Sequence, residues 1–258
     1  MKKYHETASK TNSGIISFFE TIIRSHPLLY LITRSLIRYT NIFEEDAKGA
    51  KLINFKEKIN IMDIGASDGI ASKFFFKNLN VNKIFCFEPD KNYVKILKRL
   101  KNKNNLIIKP YAVGNKNEEL RVYYPVYNFF NNKIKLVTLC YYNKNLLAEK
   151  IKLDFKFRRN IKIVSEKLEI KKIVRFKDRV DLIKIDVNGF EFSVVKGLID
   201  IIKKDKPALI IETGEDTEKI HRMLKKLSYK KFIYKEKKLQ EAKNEMPLNM
   251  FFLQKKHF

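Results

Sequence analysis

The sequence has few residues of the kinds that define fibrous, disordered or disulfide-rich proteins. It contains 8 glycines, 6 prolines and 2 cysteines in 258 residues, whereas 45% of its residues are apolar. This composition is typical of a globular protein, and the length suits one α/β domain with an extension. Cys86 and Cys140 show neither metal-ligand spacing nor a disulfide framework. We therefore expect a reducing compartment, the cytoplasm.

Long hydrophobic runs are also missing. The longest uncharged apolar stretch near the N-terminus, residues 27–33, is far shorter than the roughly 20 residues that span a bilayer. The polar start of the chain predicts no signal peptide. We interpret residues 1–55 as an N-terminal helical extension with two apolar helical faces. It is either a lid that packs on the following domain or a basic amphipathic pair that lies peripherally on the inner face of a membrane.

Acidic residues are outnumbered, with 29 Asp and Glu against 54 Lys and Arg, so the formal net charge is +25. Such a charge would suit a nucleic acid or an anionic membrane as a partner. However, the positive charge is mostly lysine that is spread along the whole chain together with Asn and Ile, which an AT-rich genome imposes on any protein. Dispersed lysine also keeps a protein soluble. Charge alone does not decide between these interpretations.

Strands and helices alternate from Ile59 onward, which is the pattern of a parallel sheet with helices on both faces. The alternation stops at residues 115–180, where β-branched and aromatic runs predict an antiparallel insertion, and it then resumes. We therefore predict one Rossmann-like α/β domain over residues 56–258.

A glycine-containing turn follows the first strand, with the sequence Asp63-Ile64-Gly65-Ala66-Ser67-Asp68-Gly69. In a doubly wound sheet, ligands bind outside the carboxyl ends of the strands, where such turns lie. The turn lacks the G-x-G-x-x-G pattern that binds a pyrophosphate, and two carboxylates would repel one. They would suit a cofactor that carries a sulfonium cation and an amino group. The predicted cofactor-binding residues of this turn are Asp63, Gly65, Ser67, Asp68 and Gly69.

A further carboxylate, Glu88, ends the next strand and precedes Pro89 and Asp90, which begin a helix. A carboxylate here can accept hydrogen bonds from both ribose hydroxyls, although it could also be a solvated charge at a strand end. Together with the turn, Glu88 and Pro89 predict a nucleoside cofactor without a pyrophosphate, namely S-adenosyl-L-methionine.

Acidic residues also mark the predicted substrate side of the cleft. Asp186 ends a buried strand and is a candidate general base or a residue that orients the methyl acceptor. Glu191 is either a site residue or a carboxylate that complements the first turn of a helix, and Glu212 ends the next strand. Methyl transfer needs only alignment and removal of a proton, so carboxylates suffice and no metal ligands are predicted. His221 is either a base or an ordinary helix residue.

The chain resembles the FkbM-type methyltransferases over roughly residues 59–255. The resemblance rests on residues 63–69, Phe87-Glu88-Pro89-Asp90, Ala112-Val113-Gly114, residues 164–168, Lys184-Ile185-Asp186-Val187-Asn188-Gly189-Phe190-Glu191, residues 208–212 and residues 249–253. It implies a class I methyltransferase fold with a seven-stranded, mostly parallel sheet, and it adds Ala112 to the cofactor-binding residues. It also implies transfer to a hydroxyl oxygen of a sugar, polysaccharide or natural product.

One departure from the family pattern concerns the chemistry. Asn188 stands where the family usually has Glu, and an amide does not act as a base at neutral pH, although it can orient an acceptor hydroxyl. Three functions therefore stay open: an O-methyltransferase for a hydroxyl-bearing small molecule or glycan, an RNA or protein methyltransferase, and a cofactor-binding protein without catalysis. We favour the first, because the chain lacks the sequence motifs of nucleic-acid base methylation.

Overall fold

The computed structural model describes residues 28, 29, 32, 46–101, 105–129, 132–136, 139–155 and 160–258. Most of the predicted N-terminal helical extension lies outside the described residues, and so does the membrane contact predicted for it. The chain divides into two compact units. Of the described residues, the first unit contains 46–118 and 169–258, and the second contains 28, 29, 32 and 119–168.

The first unit is built around an eight-stranded sheet. Its strands are β1 (Ile59–Ile64), β2 (Val81–Phe87), β3 (Leu106–Lys109), β8 (Leu182–Ile185), β9 (Ala208–Glu212), β10 (Lys230–Lys235), β11 (Lys238–Glu241) and β12 (Asn249–Leu253). Their spatial order is β11-β10-β12-β9-β8-β1-β2-β3. The strands from β9 to β3 in this order are parallel, whereas β12 runs antiparallel to β9 and to β10. The sheet thus has a parallel centre and an antiparallel edge.

Helices connect the strands of this unit. They are α1 (Ile70–Asn78), α2 (Lys91–Lys101), α4 (Glu191–Gly197), α5 (Ile199–Asp205) and α6 (Thr217–Lys225), together with the 3-10 helices Asp46–Leu52 and Lys255–His257. A two-residue strand, β4 (Ala112–Val113), follows β3 and pairs in parallel with Ile170 and Lys171.

Two apolar cores lie on the two faces of the sheet, because successive side chains of a strand point to opposite sides. Met62 and Ile64 of β1 belong to a core with α4, α5 and α6. Ile59 and Ile61 of the same strand belong to the other core, with α1, α2 and residues of the 3-10 helix Asp46–Leu52. Every residue of β8 is buried, so this strand is covered on both faces. The α/β Rossmann-like class predicted from the alternating pattern is confirmed.

The number of strands differs from the prediction, since the main sheet has eight strands and not seven. The additional strand, β11, forms an antiparallel hairpin with β10, in which Lys235 pairs with Lys238. The two residues of its turn, Glu236 and Lys237, both have positive φ values, 54° and 59°. Such turns usually contain glycine or asparagine, so this hairpin could not be predicted from its turn residues.

The second unit contains β5 (Glu118–Phe129), β6 (Asn132–Lys135), helix α3 (Lys144–Asp154) and most of β7 (Ile161–Lys171). Strands β5 and β6 are antiparallel. Helix α3, which the sequence analysis did not predict, begins at Asn143, whose side chain accepts hydrogen bonds from the backbone N–H groups of residues 145 and 146. The core of this unit consists of Leu136, Leu139, Leu147, Ile151 and Phe155. No helix among the described residues of the chain is long and apolar enough to cross a membrane.

The close contact of α4 with the residue after β4 predicts the effect of one substitution. A Cβ atom at Gly197 would overlap the carbonyl oxygen of Gly114 and lie 2.6 Å from its carbonyl carbon. We therefore expect Gly197→Ala to lower the free energy of unfolding by about 1–3 kcal/mol, despite the better helix propensity of alanine. Urea denaturation of the purified variant measures this change.

Gly214→Ala is the matched control, because its Cβ would come no closer than 4.0 Å to the atom that it would meet, Glu191 Oε2. Its unfolding free energy should stay within about 0.5 kcal/mol of the parent protein. Equal stability of both variants would show that α4 does not approach Gly114 as described.

Candidate active site

The candidate site lies in the first unit, at the edge of the sheet where β2, β1, β8 and β9 end. These four strands are neighbours and parallel, so their carboxyl ends meet at one edge. The segments that follow them carry the acidic residues and glycines predicted for the site. This edge is where a doubly wound sheet binds its ligand.

The turn between β1 and α1 depends on backbone conformations that favour glycine. Gly65 and Gly69 have φ values of 80° and 79°, and Ser67 between them has φ of 50°. A Cβ atom at Gly65 would overlap the backbone carbonyl oxygen of Asp186, which leaves β8 beside it. Only glycine meets both requirements, so Gly65 brings the cofactor turn and the end of β8 into contact.

Asp63, the first acidic residue of the motif, is fully buried at the end of β1. Its Oδ2 accepts a hydrogen bond of 2.7 Å from the Ser72 hydroxyl. Burial raises the pKa of Asp63, and the nearby Lys184 ammonium opposes that rise. Asp63 Oδ1 and the Ser67 hydroxyl are buried polar atoms without a hydrogen-bond partner among the described residues. Such atoms in a native site usually await a ligand or water.

Glu88 is buried at the end of β2 and joins the turn to the next helix. Its Oε2 accepts a hydrogen bond of 2.8 Å from the Ser67 N–H, and its Oε1 accepts one of 2.8 Å from the Asp90 N–H. Burial raises the pKa of Glu88 to about 7, although these two hydrogen bonds lower it. Each oxygen of a carboxylate keeps a further lone pair, so Glu88 can still accept from two ribose hydroxyls.

The remaining predicted cofactor residues lie around this turn. Asp68 is buried directly before Gly69, and Pro89 is partly buried between Glu88 and Asp90. Ala112 lies farther along the edge, in β4, after the end of β3. Its neighbour Tyr111 packs edge-on against Phe87, with ring centroids 5.7 Å apart.

Asp186, on the substrate side, is partly exposed, with 32% of its side chain accessible. Its Oδ2 lies 2.9 Å from the Nζ atom of Lys184, whose own side chain is only 4% exposed. A buried ammonium group needs a negatively charged partner, so the ion pair with Lys184 holds the Asp186 side chain in place at this edge of the sheet. The sequence analysis did not assign Lys184 a role. The signal was present, because a lysine inside an otherwise apolar four-residue strand is unusual.

Glu191 shapes the loop after β8. Its Oε1 accepts hydrogen bonds from the backbone N–H groups of Gly189 and Val187, at 2.9 and 3.2 Å. Within this loop, Asn188 has φ of 51° and Gly189 has φ of 99°. Asparagine tolerates this left-handed conformation better than glutamate does, which gives a conformational reason for Asn188.

Glu212 ends β9 and lies beside Asp186, because the residues before them, Ile185 and Ile211, pair in the parallel strands β8 and β9. Desolvation, followed by the charges of Asp186 and Glu191, raises the pKa of Glu212 well above its ordinary value. The structure therefore brings the three predicted catalytic carboxylates together. The Nδ1 atom of His221 lies 3.6 Å from the Oε2 atom of Glu218, a residue of the same helix, α6. Within the described part of the chain, no cluster of histidine, cysteine and acidic side chains is arranged to hold a metal ion.

The fold and the site define a class of protein. The strand order β3-β2-β1-β8-β9-β12-β10, with β12 antiparallel to its neighbours, is that of the class I methyltransferases. A glycine turn after β1 and an acidic residue at the end of β2 lie where such folds hold a nucleoside.

The family follows from the sequence comparison. The model of the FkbM methyltransferase domain matches residues 63–234, so the chain belongs to this family of S-adenosylmethionine-dependent methyltransferases. No curated protein matches the chain by sequence.

Solved structures with a similar fold include methyltransferase FkbM from Methylobacillus flagellatus, at 16% identity and a TM-score of 0.47. That match covers 77% of this chain and 44% of the Methylobacillus protein, so the chain spans less than half the length of that protein. The precorrin-6y C5,15-methyltransferase from Geobacter metallireducens matches at 13% identity and a TM-score of 0.38, over 80% of this chain and 83% of its own. M. capricolum TrmK, solved with S-adenosyl-homocysteine, matches at 12% identity and a TM-score of 0.36, over 82% and 68%.

The raised pKa of Glu88 predicts that cofactor affinity depends on pH. If Glu88 holds the ribose, the ribose hydroxyls would donate to its ionised carboxylate, whereas below pH 7 the protonated form of Glu88 predominates. Binding then has to expel a proton. We expect the affinity for S-adenosylhomocysteine to be constant well above pH 7 and to fall by up to about tenfold per pH unit below it. Calorimetry between pH 5.5 and about 8.5 measures this dependence.

Glu88→Gln should bind more weakly, by about 1–3 kcal/mol, and without this pH dependence. Glu57→Gln changes an exposed carboxylate and should behave like the parent protein. If the parent protein and Glu88→Gln show the same slope with pH, Glu88 does not bind the ribose.

Proposed function

We propose that the protein is an O-methyltransferase that methylates a hydroxyl group of a sugar, polysaccharide or natural product. The observation that carries this proposal is the position of Asp186. Its side chain is partly exposed and paired with Lys184, and its backbone carbonyl lies against Gly65 of the turn after β1. A carboxylate so placed is able to accept a proton from a hydroxyl that lies next to the cofactor.

The residues at the edge of the sheet fit S-adenosylmethionine. Glu88 would hold the ribose hydroxyls, and the buried atoms Asp63 Oδ1 and Ser67 Oγ would hold polar groups of the amino-acid part. Gly65 lets the turn that carries Ser67 lie directly against the end of β8, since a side chain there would overlap the Asp186 carbonyl oxygen. When bound, this cofactor supplies an electrophilic methyl group on a sulfonium sulfur.

Transfer to a hydroxyl requires that a proton leave the acceptor. The bond between the methyl carbon and the acceptor oxygen forms while the carbon–sulfur bond breaks, and sulfur keeps the electron pair. Asp186 takes the proton of the hydroxyl, because its side chain is partly exposed, whereas Asp63, Glu88 and Glu191 are buried. Positioning and proton removal are the contributions that such a displacement needs from the protein.

Asn188 and Glu191 serve this step indirectly. The Glu191 carboxylate fastens the loop through two backbone N–H groups, and Asn188 occupies the left-handed position between them. Its amide has both a donor and an acceptor, so it is able to orient the acceptor hydroxyl without taking the proton.

The net charge of +25 favours a second candidate, an RNA methyltransferase. Incubation with methyl-labelled cofactor separates the candidates when the acceptors offered are glycans, hydroxyl-bearing small molecules and RNA. We expect label in an ether on a glycan or a small molecule. Label in RNA with a steep dependence on salt would instead support the second candidate. If the protein binds the cofactor but transfers the methyl group to none of these acceptors, the result would support a cofactor-binding protein without catalytic activity.

The role of Asp186 predicts a specific loss of function. Asp186→Asn removes the proton acceptor and keeps the size of the side chain. We expect turnover to fall about a hundredfold or more, and the affinity for S-adenosylhomocysteine to change by less than about threefold. Kinetics at saturating acceptor together with calorimetry measure the two effects.

Asp200→Asn is the control, because Asp200 is exposed on α5. It should leave both quantities unchanged. Equal losses of turnover and cofactor affinity in Asp186→Asn would assign Asp186 to cofactor binding.

A further inference from the structure

We propose that the carboxyl groups of Asp186 and Glu212 together hold one proton. Glu212 is the protonated member of this pair, and Asp186 is the ionised one. Glu212 is then a neutral carboxylic acid that donates a hydrogen bond to the Asp186 carboxylate and positions it. The catalytic consequence of this arrangement rests on the proposed function, whereas the shared proton does not.

Strand register places the two groups side by side. Strands β8 and β9 are parallel neighbours, in which Ile185 pairs with Ile211. The next residue of each chain segment, Asp186 and Glu212, therefore leaves the sheet at the same level. Their side chains therefore lie next to each other at the end of the sheet, and the charge of Asp186 contributes to the raised pKa of Glu212. Two neighbouring ionised carboxylates repel each other, and Lys184 supplies one compensating charge, so one member of the pair keeps its proton.

The surrounding charges decide which group keeps the proton. Lys184 Nζ lies 2.9 Å from Asp186 Oδ2, and this ion pair stabilises the ionised form of Asp186. Glu212 faces two carboxylates, Asp186 and Glu191, and Lys184 compensates them only in part. On its other side, β12 places Asn249 opposite Glu212, and this residue is neutral and adds no positive charge. Desolvation therefore acts on Glu212 with little compensation.

This arrangement defines the state of the site before and after transfer. Before transfer the pair holds one proton, and Asp186 is ionised and ready to accept another. After transfer the pair holds two protons, one on each residue. Asp186 is partly exposed, so the additional proton is able to return to solvent before the next turnover. Glu212 keeps its own proton throughout, as a positioning residue and not as a base.

Infrared spectroscopy of the protein alone tests the shared proton directly. At about pH 8, Glu88 is mostly ionised, and the difference spectrum of the parent protein minus Glu212→Gln should contain the carbonyl band of a protonated carboxylic acid. Asp200→Asn should give only carboxylate bands in the same comparison. Carboxylate bands in the Glu212→Gln difference spectrum would overturn the proposal, whatever the activity of the protein.

Kinetics separate positioning from base catalysis. The amide of glutamine donates a hydrogen bond as the neutral acid does, so Glu212→Gln should keep kcat within about threefold of the parent, with the same pH profile. Glu212→Ala removes the donor, so its kcat should fall by about tenfold, roughly the worth of a hydrogen bond to a charged group. The acidic limb of its profile should move to higher pH, since Asp186 loses a donor that favours ionisation.

A loss of activity in Glu212→Gln as large as that in Asp186→Asn would contradict the positioning role. If the infrared band is present but no hydroxyl acceptor is methylated, the shared proton stands and the proposed function fails. The two outcomes are thus distinguishable.

Discussion

The contact between Gly65 and the end of β8 is the constraint on which the site depends. A side chain at position 65 would overlap the carbonyl oxygen of Asp186, so the turn after β1 and the loop after β8 lie in direct contact. Because of this contact, the residues that suit a nucleoside cofactor and the residues that suit an acceptor share one edge of the sheet. The parallel order of β2, β1, β8 and β9 then adds Glu88 on one side and Glu212 on the other. The backbone therefore determines the geometry of the site.

The carboxylates at this edge differ in their hydrogen-bond partners and in the charges beside them, and therefore in their roles. Glu88 and Glu191 accept backbone hydrogen bonds, and they shape the two loops that flank the site. Asp186 has the buried cation Lys184 as its partner, whereas Glu212 faces other acids. Identical functional groups thus differ in protonation because their neighbours differ. Among the described residues, the buried lysine at this edge is Lys184, which pairs with Asp186 and partly offsets the charge that Glu212 faces.

Much of the fold and of the candidate site can be predicted from the sequence, because both depend on local sequence patterns. The glycine turn, the acidic residue after β2 and the alternation of strands and helices all follow from short-range rules, and they predicted the fold class and the members of the site. Three features were missed. The β10–β11 hairpin turns at Glu236 and Lys237, which are not turn formers, and α3 lies in a lysine- and asparagine-rich segment. The proximity of Asp186 and Glu212 depends on strand register, which no short motif encodes, whereas Lys184 and Asp186 are two positions apart in one segment and their pairing was overlooked.

A crystal structure with S-adenosylhomocysteine and a hydroxyl acceptor bound tests the central claim most directly. The account predicts that the ribose hydroxyls donate to Glu88, and that the acceptor oxygen lies between the cofactor sulfur and the Asp186 carboxylate. The hydroxyl should be within about 2.6–3.2 Å of an Asp186 oxygen, the distance at which a base takes a proton. A ribose bound away from Glu88, or an acceptor oxygen that faces another group and not Asp186, would contradict it.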